Sequence, residues 1–495
     1  MTDQDRPVRT RFAPSPSGDL HVGNIRTALY AWAYARHTGG TFVLRIEDTD
    51  RLRVTPEHIN AAIQSLRWLG LDWDEGPEVG GDHGPYLQSQ RLHIYAEWTQ
   101  RFLDQGDAYR CYCTPEELED RREQQRAAGR PPGYDGRCRD LSADEIAAFE
   151  ADARDPVVRF RMPEGSTTFT DLIRGEVTFD HAHVPDFVLV RADRSPLYTL
   201  AVAVDDVLMK ITHILRGEDL LSSTPRQIAV YRAMGVSDAN LPAFAHQPFV
   251  MGEGNAKLSK RLASSSISYY RRAGFLPQAV CNYLALLGWS IGDDREDFTL
   301  DEMVAAFTLE RVNSNPARFD LRKLEAINGD KIRALTADDF ARRILPFLQE
   351  AGLIAHEPDE DELRLLAAAA PLIQERMVHL TEAVEMLGFL FVDDEHFTVE
   401  EEATARSLTP ESAPVLAASI EALAALSEWT TAPIEQALRA ALVDGLGIKP
   451  KHAFGPVRVA VTGRRVSPPL FESMELLGQQ RSLNRLREAA ARATA

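Results

Sequence analysis

At 495 residues the chain is too long for one hydrophobic core, so about three to five structural units are expected. Its 44% hydrophobic and 26% charged residues exclude fibrous, low-complexity and membrane-embedded classes. A net charge of −19 disfavours indiscriminate polyanion binding, yet it leaves room for local basic patches at Arg121-Arg122 with Arg126 and Arg130, at Arg271-Arg272, at Lys449 to Lys451 and at Arg464-Arg465. Met1 to Pro7 lacks the apolar stretch of a signal peptide, and apolar windows such as Leu363 to Ile373 and Ala383 to Val392 are too short to span a bilayer. Four cysteines in such a chain argue against a disulfide framework and fit a reducing cytoplasm.

In chain order, a strand over Val8 to Phe12 runs into a Pro/Ser/Gly loop, and a helix follows over Ile25 to Arg36. Pro14 and Pro16 lack backbone donors and keep the loop irregular, while Gly18 and Gly23 let the backbone approach a flat or anionic ligand. A helix starting just after His21 and Gly23 aims its unpaired N–H groups at that ligand, which reads as a nucleotide site. The bland alternative is a surface turn. A strand over Thr41 to Ile46 and a helix over Pro56 to Leu69 continue the alternation expected of a parallel sheet with ligands at its carboxyl edge.

From about Tyr109 the pattern changes. Cys111-Tyr-Cys113, a charged helix over Pro115 to Ala128, a turn at Arg130 to Gly136 and short strands at Val157 to Met162, Glu176 to Phe179 and Phe187 to Arg191 look like an insertion. The sheet is expected to resume with Pro196 to Asp206 and Ile211 to Arg216, whose unbroken apolar runs suit strands buried on both faces. Lys257-Leu-Ser-Lys-Arg261 follows a glycine-bearing loop, where two lysines suit charge developing on phosphate. Beyond Ser265 the pattern is almost wholly helical, with breaks expected at Gly288, Asn313 to Pro316 and Asn328-Gly329.

Arg11-Phe-Ala-Pro-Ser-Pro-Ser-Gly-Asp-Leu-His-Val-Gly-Asn24 and Lys257 to Arg261 resemble the HIGH and KMSKS elements of class I aminoacyl-tRNA synthetases. Asn24 departs from the histidine of the general pattern, at a position that varies in the glutamyl branch. Leu44 to Asp50, Leu215 to Asp219 with Thr224 to Gln227, Gly274 to Ser290, Pro456 to Gly463 and Ser467-Pro468 extend the resemblance to bacterial glutamyl-tRNA synthetases over essentially the full length.

That resemblance implies an α/β chain: a Rossmann-type parallel-sheet catalytic domain with an inserted acceptor-stem domain, then an all-α anticodon-binding region. The expected divisions are 1–108 and 196–262 for the catalytic halves and 109–195 for the insertion, with 263–330 for a helical stem-contact domain and 331–495 for the anticodon-binding domain. It implies activation of glutamate by ATP to an adenylate, then transfer to the end of tRNA-Glu. Free glutamate carries two carboxylates and an ammonium, so its pocket needs arginines and an acid. By resemblance Arg11, Arg216 and Tyr198 hold the side-chain carboxylate, Glu47 accepts from the α-ammonium, and Ala13 and Ser15 line the pocket. ATP falls to Ser15, Gly18, His21, Gly23, Asp219, Leu258 and Lys260, with His21, Lys257 and Lys260 assisting the chemistry. Mg²⁺ accompanies ATP; Asp205 and Asp206 offer either a ligand to it or a cap to the next turn.

Cys111, Cys113 and Cys138 resemble a zinc site of some members, with Asp140 where a histidine is frequent and Tyr134 as another neighbour; three reduced thiols are the alternative. The implied enzyme is a cytoplasmic monomer that takes tRNA, glutamate and ATP, and neither DNA nor membrane. A glutamyl-queuosine synthetase lacks an anticodon region and a glutaminyl enzyme has a β-barrel there, so the helical end argues against both. A catalytically inactive tRNA-binding or regulatory paralogue is the remaining alternative.

Overall fold

The computed structural model describes residues 6–50, 53–252 and 266–494. It divides into two compact units, Met1–Tyr270 with Val280–Asp320, and Arg271–Ala279 with Leu321–Ala495. The first unit begins with β1 (Arg9–Phe12), α1 (Val22–His37), β2 (Thr41–Leu44) and α2 (Pro56–Leu69). Helix α2 starts where the sequence marks a start: the Thr55 side chain caps the His58 amide and Pro56 takes the first turn. Helix α3 (Leu92–Gln105) and strand β3 (Ala108–Cys111) lead into the inserted stretch, with α4 (Pro115–Ala127), α5 (Ala143–Ala151), β4 (Val157–Phe160), β5 (Ser166–Asp171), β6 (Gly175–Asp180) and β7 (Phe187–Val190). Helix α6 (Tyr198–Leu208), β8 (His213–Gly217), α7 (Thr224–Ala233) and β9 (Ala243–Gln247) complete the elements around the main sheet.

That sheet has the order β2-β1-β8-β9-β5-β6. Strands β2, β1, β8 and β9 are parallel neighbours, and β5 joins β9 at Asp171 opposite Phe244. The β5–β6 hairpin of the inserted stretch therefore extends the catalytic sheet. Strands β3, β4 and β7 form a separate antiparallel sheet. One apolar core also crosses the expected boundary at residue 109: Phe160, Met162 and Leu189 pack with Val43, Leu200 and Phe244.

The stretch Pro196 to Asp206, expected as a strand, is mostly helix α6. Every residue from Leu200 to Asp206 is buried. A helix enclosed on all sides has no polar face, so its sequence shows the same unbroken apolar run as a doubly buried strand. Asn328-Gly329, expected as a break, lies inside helix Leu321–Arg333. Asn328 is tolerated there because its side-chain oxygen accepts from the Leu276 amide at 2.8 Å within the second unit. Among the described residues of that unit the regular elements are all helices, and they share one core, which includes Leu276, Ile344, Leu387, Leu416, Val457 and Leu486. Among the described residues no helix is long and apolar enough to cross a membrane.

Candidate functional site

A cavity of about 530 Å³ opens at the carboxyl ends of β1 and β8, and its lining continues past β9 to Pro248, Phe249 and Val250. Its floor on one side is the loop after β1. Helix α1 begins earlier than its sequence indicates because His21 is its N-cap: Nδ1 accepts from the Gly23 amide at 3.1 Å and the Asn24 amide at 3.4 Å. With Nδ1 accepting, the proton of the neutral ring sits on Nε2. A Cβ on Gly23 would lie 3.1 Å from that ring, so a side chain there would disturb the cap. Ala13, Ser15, His21, Gly23 and Asp219 all line the cavity, as does Asn24. Gly18 is not among the lining residues; at φ +153 it serves the turn. Lys257, Leu258 and Lys260 lie outside the described residues.

The other end of the cavity is built from charge. Arg11, Glu47, Tyr198 and Arg216 line it. The Arg11 Nε sits 3.2 Å from Asp206 Oδ1, and Arg45 Nη1 donates to the same oxygen at 2.7 Å. Burial works against ionisation of Asp206, and Arg11 and Arg45 overcome it, holding its carboxyl below the usual range. Asp205 accepts from Arg91 Nε at 2.6 Å, Tyr95 at 2.8 Å and Gln88 at 2.9 Å. Both aspartates are wholly buried inside α6, so they neither cap a turn nor present a Mg²⁺ site. They balance the arginines beneath the pocket.

Arg216 differs from Arg11. Its Nε donates to His246 Nε2 at 2.9 Å, Nη1 to Gln227 Oε1 at 2.7 Å, and Nη2 to Thr224 Oγ1 at 2.8 Å and the Leu220 carbonyl at 3.3 Å. All these acceptors are neutral. Among the described residues no carboxylate pairs with this guanidinium, which is only 3% exposed and faces the cavity. Burial raises the Glu47 pKa to about 7, against the pull of Arg45 and Arg11. The cavity therefore offers a buried, uncompensated cation and an acid poised between its two protonation states.

A second cluster lies in the insertion. The side chains of Cys111, Cys113 and Cys138 converge within 4.8 Å, with Cys113 and Cys138 sulfurs 3.5 Å apart. Hydrogen bonding from its neighbours holds the Cys111 thiol below its usual range. Asp140 is not part of it: its carboxylate is 80% exposed and pairs with Arg161 at 2.9 Å. Tyr134 stands beside it, packed against the cysteines, with its hydroxyl accepting from the Cys138 amide at 2.9 Å. Three converging thiols are a donor set suited to zinc.

Residues 7–326 match the family model described as tRNA synthetases class I (E and Q), catalytic domain, and residues 339–490 match an anticodon binding domain. The chain belongs to the class I tRNA synthetases (E and Q). Curated glutamate–tRNA ligases of Nocardioides sp. and Saccharopolyspora erythraea are 56% and 57% identical to it, over 99% and 98% of this chain and 100% and 96% of theirs. A crystal structure of a glutamate tRNA ligase from Elizabethkingia meningosepticum in complex with its amino acid superposes with a TM-score of 0.82 at 32% identity, covering 98% of this chain and 99% of that one.

Several residues of this class I synthetase site have no sequence signal. Arg26 lies on α1, is buried, and donates to the carbonyls of Leu287 and Pro248, so it fixes the cavity wall before Phe249. His246 and Asp171 stand behind Arg216. Asp171 ends a threonine-rich strand and His246 sits beside Gln247 at the end of another, and only the folded sheet brings them beside a guanidinium.

Proposed function

We infer that the chain is a glutamate–tRNA ligase whose cavity holds ATP beside the His21 loop and glutamate between Glu47 and Arg216. The carrying observation is Arg216, a buried cation lining the cavity with only neutral acceptors around it. It meets a side-chain carboxylate with a charge-assisted bond, whereas the amide of glutamine turns donors toward donors. Arg11, Tyr198, Ala13 and Ser15 complete that end, and Glu47 receives the α-ammonium. The α-carboxylate attacks the ATP α-phosphate, releasing pyrophosphate; the adenylate then passes its acyl group to the terminal ribose hydroxyl of tRNA. Positioning and charge stabilisation carry both steps, with no protein nucleophile. His21 donates to phosphate, Gly23 and Asp219 border the nucleotide, and Lys257 and Lys260 neutralise the departing pyrophosphate. Mg²⁺ enters with ATP.

Cys111, Cys113 and Cys138, with Tyr134 beside them, would hold a structural zinc, which would brace the insertion. In this reading the chain works as a cytoplasmic monomer on tRNA-Glu and not on DNA, and its functional divisions are those expected at 1–108, 109–195, 196–262, 263–330 and 331–495.

ATP–pyrophosphate exchange in the presence of tRNA tests the assignment. Exchange dependent on glutamate, with kcat lowered at least about a hundredfold in Lys260→Ala, supports it. No exchange with any amino acid would mean an inactive paralogue.

A further inference from the structure

The neutral shell around Arg216 has an outer layer. His246, on β9, is wholly buried, and its Nδ1 lies 2.6 Å from Asp171 Oδ2. Asp171 ends β5 and is 1% exposed. It also accepts from the His246 amide at 3.1 Å and from the amides of Ile173 and Arg174 at 3.0 Å each. A guanidinium donates and cannot accept, so the Nε2 that Arg216 meets must be unprotonated. The imidazole proton is therefore on Nδ1 and donated to Asp171. The Asp171 carboxylate, held below its usual pKa by His246 and by those amides against its burial, is the acceptor that selects this tautomer.

Resting on the reading that Arg216 receives the substrate's side-chain carboxylate, we propose that Asp171 and His246 are positioning residues for it: Asp171 sets the His246 tautomer, and His246 sets the guanidinium. The contrast with Arg11 shows what the spacer achieves. Arg11 contacts Asp206 directly and its charge is matched there. Placing a carboxylate directly on Arg216 would neutralise it in the same way and weaken its claim on a substrate carboxylate. One imidazole in between transmits orientation and leaves the positive charge to the ligand. Burial lowers the His246 pKa, Asp171 acts against this, and Arg216 reinforces it, which agrees with a neutral ring.

The anchor comes from the β5–β6 hairpin, so the inserted stretch contributes to amino-acid selection. A second link makes the same connection. Arg174, in the hairpin turn, donates to the His246 carbonyl at 3.3 Å and pairs with Glu218, whose other oxygen accepts from the Phe249 amide at 2.7 Å in the cavity wall. The hairpin thus holds both β9 and the segment after it.

The test compares four variants of the full chain in tRNA charging with glutamate and with glutamine. His246→Phe keeps a ring against Phe244 but removes the acceptor, whereas His246→Gln restores a carbonyl oxygen near the Nε2 position. Removing the acceptor should raise the KM for glutamate about tenfold and lower the glutamate-to-glutamine ratio of kcat/KM by a similar factor, with the KM for ATP within about twofold of wild type. His246→Gln should remain within about threefold of wild type on both measures, and Asp171→Asn should fall between the two. Equal selectivity in His246→Phe and His246→Gln overturns the proposal, since a residue that merely packs would show no rescue. Should His246→Phe fail to fold, wild-type selectivity in Asp171→Asn overturns it. Arg216→Gln separates the two layers: if it too leaves glutamate kinetics unchanged, the reading of Arg216 fails; if it alone changes them, only the positioning role fails.

Discussion

Glu47 shows how burial and neighbouring charges set the protonation of one residue. Its carboxyl is removed from water, faces Arg45, Arg11, Asp206 and Asp205, and titrates at about 7 instead of 4.5. Between those values the folded protein binds more protons at this group than the unfolded chain does. Its contribution to stability is therefore present at low pH and is lost as pH rises through about 7. Substrate binding has the opposite dependence, because an α-ammonium needs the carboxylate. The KM for glutamate should fall as pH rises through about 7 and then level, and Glu47→Gln should raise KM and flatten that profile. A Glu47→Gln profile that parallels wild type would place the titration on another group, and the ammonium on another partner.

Among elements, α1 combines a structural and a chemical duty in one side chain. His21 caps the first turn through Nδ1, and its N-terminus faces the cavity. His21→Asn can keep a cap while losing the ring; His21→Ala loses both. Both variants should therefore lose exchange activity, but only His21→Ala should also lose about 1 kcal/mol of stability in denaturant unfolding. Equal stability of the two would show that the cap contributes nothing.

The helix Pro450–Thr462 shows a conflict of another kind. Exposed Lys449 stands at its N-cap, with Lys451 in the first turn and no acidic residue there. Two cations at the positive end of a helix are unfavourable, and a phosphate beside them would relieve the conflict. Arg464, by contrast, is already paired with Glu385 at 2.8 Å and Glu400 at 3.1 Å. Lys449→Asp should stabilise the protein by about 0.5–1 kcal/mol while weakening tRNA binding and flattening its salt dependence. Tighter folding with unchanged tRNA affinity would remove this helix from the interface.

For the whole molecule, the division between units does not follow chain order. Arg271–Ala279 belongs with the helical unit although sequence on both sides of it belongs with the sheet unit. Leu276 and Ala279 are buried in the helical unit's core. A fragment ending at residue 320 should thus unfold cooperatively as a sheet unit and lose efficient charging, yet self-associate through that stretch. Leu276→Gln within the fragment should reduce the association seen by sedimentation. A fragment already monodisperse without the substitution would assign 271–279 to the sheet unit instead.

Elements with local signals, and the chemistry tied to short motifs, are legible in the chain before it folds. Thr55-Pro56 starts α2 as read, because a cap and a first-turn proline act within four residues. Arg11, Glu47, Tyr198 and Arg216 were legible as a set because the family's motifs hold them in order, and the fold brings all four to one cavity. What depends on environment was not legible. Helix α6 reads as a strand because burial on every side erases periodicity, and Asp205 and Asp206 read as a Mg²⁺ ligand or a turn cap when they are the counter-charges of Arg91, Arg45 and Arg11. Asp140 has a plausible spacing for a metal ligand, but its side chain turns to Arg161 and Tyr134 stands by the thiols. His246 and Asp171 are 75 residues apart and give no local sign of their pairing. Which charges are matched and which are left for a ligand depends on the folded arrangement, because that balance is set by residues distant in the chain and by how much water their meeting excludes.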